Sequence, residues 1–299
     1  AKKNLEKALK ESLKVQDEIK KLRDKVLQKK ELDWQSRKEL ERLMNRQQQL
    51  QNEIQQAQQN FQQNQEQKQE MNQQQSEQLQ QKAEQLEKLF EEAMSDEMKQ
   101  LMEDMQKLLE EMNKEEALEK MEEMSLSSEE LNKELDRLQE LYKQLEVEQK
   151  LEEQINRLEE LAKEQDKLAE ETEKSAKPQD ELEKKQEELN KQMEDIAKQQ
   201  EELQKKNEEL KRKQKIEDQK KEMEETKDEM QDAKQDMEKG SDPQEQQQQS
   251  EQQKQQNSKA SKKQKKAASK MKNMANQMKS GKKSGDQEQM EEDLATIRQ

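Results

Sequence analysis

The chain has 299 residues, of which 44% are charged and 26% hydrophobic, with a formal net charge of -15 and a mean hydropathy of -1.74. So little apolar material cannot fill the single globular core that this length would normally enclose, and the acidic balance opposes binding of the whole chain to nucleic acid or anionic lipid. With no Cys and no His, disulfides, thiolate chemistry, zinc fingers and imidazole sites are excluded, so any catalysis would fall to carboxylates, Lys or the single Tyr142.

What remains is extended helix or disorder. Composition decides for helix, because Glu, Lys, Gln, Leu, Met and Ala dominate and only three Gly and two Pro interrupt them. The first helix is predicted over residues 1–32, with Leu5, Ala8, Leu9, Ile19, Leu22 and Val26 as its apolar face and Lys29 and Lys30 suiting its negative C-terminal end. The segment KKELDWQSRKEL then reads as a corner with Asp33 as N-cap; a continuous helix with a phase slip is the alternative. Trp34 is expected to pack over that corner, and its second possible role is a partner-binding anchor.

From 33 to 124 the pattern predicts one long helix. Leu40, Leu43, Leu50, Ile54, Ala57 and Phe61 follow steps of three and four, with Gln47 in the one polar slot. Between Gln47 and Gln81, 19 of 35 residues are Gln, and Asn64, Lys68 and Gln75 fall where the seam needs apolar groups, so this middle is expected to be weakly packed. Beyond it come Met94, Met98, Leu101, Met105, Leu108 and Met112. Flexible methionines in such a stripe serve first as core and second as an adaptable surface for partners. A partner there would be basic, since residues 82–124 carry 15 acidic against 6 basic side chains.

At MSLSSEEL the pair Ser127 and Glu130 reads as a capping box and predicts a tight reversal, followed by a second long helix over 127–175. SAKPQDEL ends that helix, and Pro178 opens a third over 178–238 that carries Leu189, Met193, Ile196, Leu203, Leu210, Met223, Met230 and Met237. Gly240 and Pro243 stop it, and residues 239–258 read as a Gln-rich flexible linker. A basic amphipathic helix is predicted over 259–280, in a stretch from Lys254 to Lys283 with 11 Lys and no acidic residue. Its tether candidates are Lys262, Lys263, Lys265, Lys266, Lys270 and Lys272, beside an apolar face of Ala267, Met271, Met274 and Met278. This helix can dock on the acidic body of the same molecule, lie on anionic lipid, or bind nucleic acid; the absence of Arg and aromatics disfavours the last. A further helix is expected over 286–299, with Met290, Leu294 and Ile297.

No run of about 18 apolar residues is present to span a bilayer. The chain begins at Ala1 and ends in LATIRQ without a helix stop, which reads as a piece of a longer protein. Glycines at 240, 281 and 285 cannot build a phosphate loop, and carboxylate pairs such as Glu91 with Glu92 or Glu110 with Glu111 are expected on solvated faces with ordinary acidity. No catalytic, metal or cofactor residues are assigned, no cofactor or small-molecule substrate is expected, and the chain is read as not an enzyme.

The stretches KKELDWQSRKELERL (29–43), QLEVEQKLEEQINRLEELAKEQDKLAEET (144–172) and KASKKQKKAASKMKNMANQM (259–278) resemble a family of long Bacteroidota proteins that carry a domain of unknown function. The resemblance implies N-terminal transmembrane helices, then extracytoplasmic domains, then a Glu-, Lys- and Gln-rich helical region such as this one. It also implies a place at the periplasmic face of the inner membrane, with membrane attachment through segments outside this chain.

The expected fold is therefore all-α: long antiparallel helices in an extended coiled-coil bundle, with a flexible linker and a short basic helix near the C-terminus. Short turns make intrachain packing cheaper than a parallel dimer, which would also lose translational freedom. The expected task is a non-enzymatic scaffold or spacer for protein partners, including self-association, in a cell-envelope protein. The alternatives are a holdase that grips clients through Met94, Met98, Met105 and Met112, or a lipid or nucleic-acid tether through the basic segment.

Overall fold

The computed structural model describes residues 2–70, 76–94, 96–175, 177–240 and 249–297; within its helices the side chains of 68–70, 97, 108, 240, 249–250 and 285–297 lie outside that description. The protein is all-α, with no strand among the described residues. Its helices are α1 (Lys2–Leu27), α2 (Trp34–Glu70), α3 (Glu77–Ala93), α4 (Asp96–Leu108), α5 (Lys114–Glu173), α6 (Gln179–Glu208), α7 (Lys220–Gly240) and α8 (Gln249–Ile297). Contacts divide the chain into two units, Ala1–Glu146 and Val147–Gln299, and α5 contributes residues to each.

In the first unit α1 and α2 run in opposite directions. Lys25 pairs with Glu39 at 3.2 Å near the corner, Arg46 bridges Glu11 and Glu18, and Lys7 reaches Glu53 at the far end. The corner forms where the sequence placed it: Asp33 Oδ1 accepts the Ser36 N–H at 2.9 Å, and Lys29 Nζ donates to Asp33 Oδ2 at 2.6 Å. The lysine hydrogen bond and the Ser36 donors hold the Asp33 carboxyl well below the usual carboxylate range. Leu40, Leu43, Leu50, Ile54, Ala57 and Phe61 are all buried, as their spacing requires, and so is Gln47. After Phe61, residues 62–67 stay exposed or half-buried, which matches a seam that runs out of apolar side chains.

The single helix expected over 33–124 is instead divided among α2, α3, α4 and the start of α5. Met94 leaves helical geometry at φ -100 and ψ 38 and ends α3. The reversal after α4 has a definite chemistry. Asn113 Oδ1 accepts the Glu116 N–H at 3.0 Å while Glu116 Oε2 accepts the Asn113 N–H at 3.1 Å, a reciprocal capping box that starts α5. The carbonyls of the turn that follows α4 meet a cation: Arg37 donates to Leu109 O at 2.5 Å, Glu110 O at 2.8 Å and Met112 O at 2.8 Å. Lys114 does the same for α1, donating to the carbonyls of Leu27 and Lys29.

The reversal expected at Ser127 is absent. There α5 runs straight through, because Met121, Met124, Ser128, Leu131, Leu135 and Leu138 keep one buried stripe at helical spacing and a serine simply occupies one slot. Two apolar clusters fill this unit. One is methionine-rich, joining Val15, Ile19, Leu22 and Val26 to Met44, Met98, Met102, Met105, Met112, Met121 and Met124. The other gathers Leu5, Ile54, Phe61, Leu86, Phe90 and Leu138, with the Phe61 ring centroid 6.1 Å from those of both Phe90 and Tyr142.

In the second unit, residues 147–173 of α5 run opposite to α6, with Lys150 at 3.3 Å from Glu202 and Lys185 at 2.9 Å from Glu171. Their junction uses Ser175 in the left-handed region at φ 47, followed by Pro178 at the N-cap of α6. The third helix expected over 178–238 is two helices, because the chain reverses between Glu208 and Lys220. No Gly or Pro marks that loop. Asn207 closes it with its side chain, donating to Gln214 O at 2.9 Å and accepting the Gln214 N–H at 2.8 Å, while Leu210 is buried beneath. α7 then returns along α6, with Lys234 3.4 Å from Glu187 and Gln179 Nε2 donating to Met237 O at 2.9 Å.

The flexible linker expected over 239–258 is contradicted for its second half: α8 already begins at Gln249, and Asn257 is buried with its amide donating to Ser175 Oγ at 3.2 Å. Residues 241–248 lie outside the described residues. The basic helix and the last helix, expected apart at 259–280 and 286–299, are one helix through Gly281 and Gly285. A Cβ at Gly281 would lie 2.9 Å from the Lys215 carbonyl oxygen, so this glycine serves close packing against the 209–219 loop rather than a helix stop. The side chains of Met290, Leu294 and Ile297 lie outside the described residues.

A buried amide cluster crosses the core of this unit. Gln165 and Gln186 donate to each other at 2.8 and 2.9 Å, and Gln264 from α8 donates to the same Gln186 oxygen at 2.8 Å. All three are fully buried among Leu161, Leu168, Leu182, Met237 and Ala260. Each buried Leu or Met around them contributes roughly 1.5–3 kcal/mol, while the amides fix which residues face one another.

Candidate interaction surfaces

Three surfaces follow from the residues that the sequence singled out, and the structure treats them differently. In the methionine stripe, Met98 is 4% exposed, Met105 0% and Met112 1%, all packed with α1, α2 and α5 in the methionine-rich cluster. Met94 is half-buried at the break between α3 and α4, and Leu108 has no described side chain. Between α2 and α4 a cleft of about 480 Å³ opens onto Met44 and Met102, but its walls are mainly Asn45, Gln48, Gln51, Gln106 and Glu103.

Trp34 does not pack over the corner. It stands at the first position of α2, 73% exposed, with the Lys38 ammonium 5.4 Å from its ring centroid. Leu32, at 7%, is the residue buried at that junction. Helical geometry explains the difference: Ser36, Leu40 and Leu43 define the inward stripe of α2, and Trp34 precedes it on the outer side.

The lysines of α8 form two rows. On one side Lys265, Lys272, Lys279 and Lys282 meet Glu173, Asp166, Glu159 and Glu152 of α5, the last two pairs at 2.6 Å. On the other side Lys263, Lys266 and Lys270 meet Asp236, Glu229 and Glu225 of α7, with Lys263 at 2.8 Å and Lys270 at 2.8 Å. Between the rows runs a buried stripe of Ala260, Ala267, Ala268, Met271, Met274, Ala275 and Met278. Lys262 is exposed. The helix thus runs opposite to both α5 and α7, seated between two ladders of carboxylates.

Electrostatics follow from these pairs. The hydrogen bond and charge of Lys265 hold Glu173 below the ordinary carboxylate value, and Lys270 does the same for Glu225. Burial lowers the Lys263 ammonium, but the Asp236 hydrogen bond and the charges of Asp236 and Asp232 outweigh it and raise the group above its ordinary value. Most of these pairs are open to solvent; only Lys282 with Glu152, at 12% and 18% side-chain exposure, is sheltered on both sides.

No protein-family model, curated protein or solved structure matches the chain.

Sequence reasoning identified the α8 lysines and the acidic body of the same molecule as a place for them to dock, but not which carboxylates receive them. A signal was present: Glu152, Glu159, Asp166 and Glu173 recur every seven residues, and so do Lys265, Lys272 and Lys279. Among so many exposed carboxylates that period is hard to pick out. Among the described residues, no three acidic side chains are grouped to hold a metal ion, and no helix is long and apolar enough to cross a membrane.

Proposed function

We propose that this chain is a non-enzymatic helical scaffold or spacer of a cell-envelope protein, built within each unit as an antiparallel coiled-coil bundle that engages protein partners, its own copies included. The observation that carries this reading is the allocation of apolar side chains. Those at seam positions are buried inside the units, and the outer faces are mainly Glu, Lys and Gln, with Leu13, Leu27, Trp34 and Leu126 the large apolar exceptions among the described residues. Opposed pairs such as Lys25 with Glu39 and Lys150 with Glu202 support the antiparallel arrangement, as interhelical charges do when they set orientation. Placement at the periplasmic face of the inner membrane, and attachment through segments outside this chain, rest on the resemblance alone.

A client-gripping role for the methionine stripe finds no support in this arrangement, since Met98, Met105 and Met112 are already covered by helices of their own unit.

Two measurements test the proposal. The chain contains no Cys, so Lys25→Cys with Glu39→Cys and Lys150→Cys with Glu202→Cys give unique pairs for a short bis-maleimide. Crosslinks within one chain are expected, and crosslinks found only between chains would overturn the antiparallel arrangement. Affinity purification of the intact protein from its native envelope, after crosslinking, is expected to return protein partners joined at exposed residues of these units. Recovery without a partner and without self-association would overturn the scaffold reading.

A further inference from the structure

The docked face of α8 is built like the buried face of an interfacial helix. A narrow stripe of alanine and methionine lies between two rows of lysines whose long stems can reach sideways to an anionic plane. In the structure that face is buried against apolar side chains such as Leu158, Leu161, Met223 and Met230, and the carboxylates of α5 and α7 line its two flanks. The charged flanks are the weak part of that cover. Four of the seven apolar residues in the stripe are alanines, which bury little area, and the ion pairs are mostly solvent-accessible, with Lys266 at 60% and Lys272 at 51% side-chain exposure.

We propose that α8 is a two-position helix, which leaves its seat on α5 and α7 and lays the same lysine-flanked stripe on an anionic lipid surface. The two positions exclude each other because they use one face. Lipid fits better than nucleic acid for a reason on the helix itself: a bilayer would take up Met271, Met274 and Met278, whereas a duplex would leave them in water, and the stretch has no Arg or aromatic side chain for reading bases. Release requires breaking the two ladders, so it responds to competing negative charge and to salt. The inference does not depend on the scaffold reading.

The test uses the full chain and vesicles of phosphatidylcholine with or without phosphatidylglycerol, read by co-sedimentation at low salt. Wild type is expected to bind only the anionic vesicles. An Asp166→Cys, Lys272→Cys variant, joined by a short bis-maleimide, holds α8 in its seat and is expected to bind at least about tenfold more weakly than the same variant left unjoined. Glu225→Gln with Glu229→Gln weakens the seat without touching α8 and is expected to bind several-fold more tightly, an effect that a damaged fold with unchanged α8 chemistry would not produce if circular dichroism stays at the wild-type value. Equal binding by the joined and unjoined forms overturns the proposal. So does failure of wild type to bind anionic vesicles, including the case in which it binds a DNA duplex instead.

Discussion

The sharpest consequence of the fold concerns where the chain turns back before α5. Two capping boxes compete in the sequence, Ser127 with Glu130 and Asn113 with Glu116, and the structure uses the second. Asn113→Ala removes the acceptor of the Glu116 N–H, now bonded at 3.0 Å, and leaves the return bond from the residue-113 N–H to Glu116 Oε2, at 3.1 Å, without its reciprocal partner. Loss of such a cap costs about 1 kcal/mol, within a range of about 0.5–2. Set against an RT of about 0.59 kcal/mol, that raises the local opening equilibrium about fivefold.

Ser127→Ala should act in the opposite direction. Its hydroxyl contributes only a 3.6 Å contact to Met98 Sδ inside a continuous helix, and alanine is the better helix former by up to about 0.5 kcal/mol. Amide exchange by mass spectrometry over residues 109–118 and 122–132, with denaturant titration at 222 nm, separates the two. Asn113→Ala is expected to speed exchange in the first segment, and Ser127→Ala to leave the second unchanged or slightly slower. A loss of about 1 kcal/mol at Ser127 with none at Asn113 would move the reversal and refute the reasoning.

Gln186→Ala strands the Gln165 and Gln264 amides in an apolar core and is expected to destabilise the second unit by about 1–3 kcal/mol in urea; a neutral result would mean the cluster does not form. Tyr142, the only tyrosine, is held above its ordinary value of 10.0, first by burial and then by the Glu146 charge, with Lys2 opposing. Its neutral form is therefore the folded one, so its contribution is intact below pH 10 and is lost as pH rises through the raised value. Absorbance titration at 295 nm should place the midpoint above 10, and Phe90→Ala, which opens the ring cluster, should lower it. Gly281→Ala forfeits the usual helix-propensity gain of about 1 kcal/mol, because its methyl group would press on the Lys215 backbone; thermal melting should show no stabilisation, and a clear gain would show that α8 sits farther from the loop.

Much of the fold is legible where a local signal agrees with the apolar stripe beside it. Asp33 caps α2, Pro178 opens α6, and the stripe from Leu40 to Phe61 faces inward with Gln47 in its polar slot, each for reasons contained in a few neighbouring residues. The misread places share a cause. At Ser127 a motif that fits a cap lies inside a stripe that does not break, and the continuous stripe wins because it buries more. At 209–219 the opposite holds: the helix-forming composition continues, yet Asn207 and Gln214 pin a reversal that only the returning α7 makes worthwhile. Size alone makes Trp34 a packing candidate, but its place ahead of the stripe leaves it outside. For the basic segment, composition named the lysines, but which acidic surface receives them depends on a register that no single helix displays.

That register carries a lesson about length. Glu159, Asp166 and Glu173 meet Lys279, Lys272 and Lys265, each series stepping by seven positions. Removing one codon between Lys265 and Lys272 would swing everything downstream about 100° around the rod, turning later ammonium groups away from their acids. Drift in this stretch is thus quantised: gains or losses of a whole heptad keep the teeth meshed, whereas smaller indels strip them.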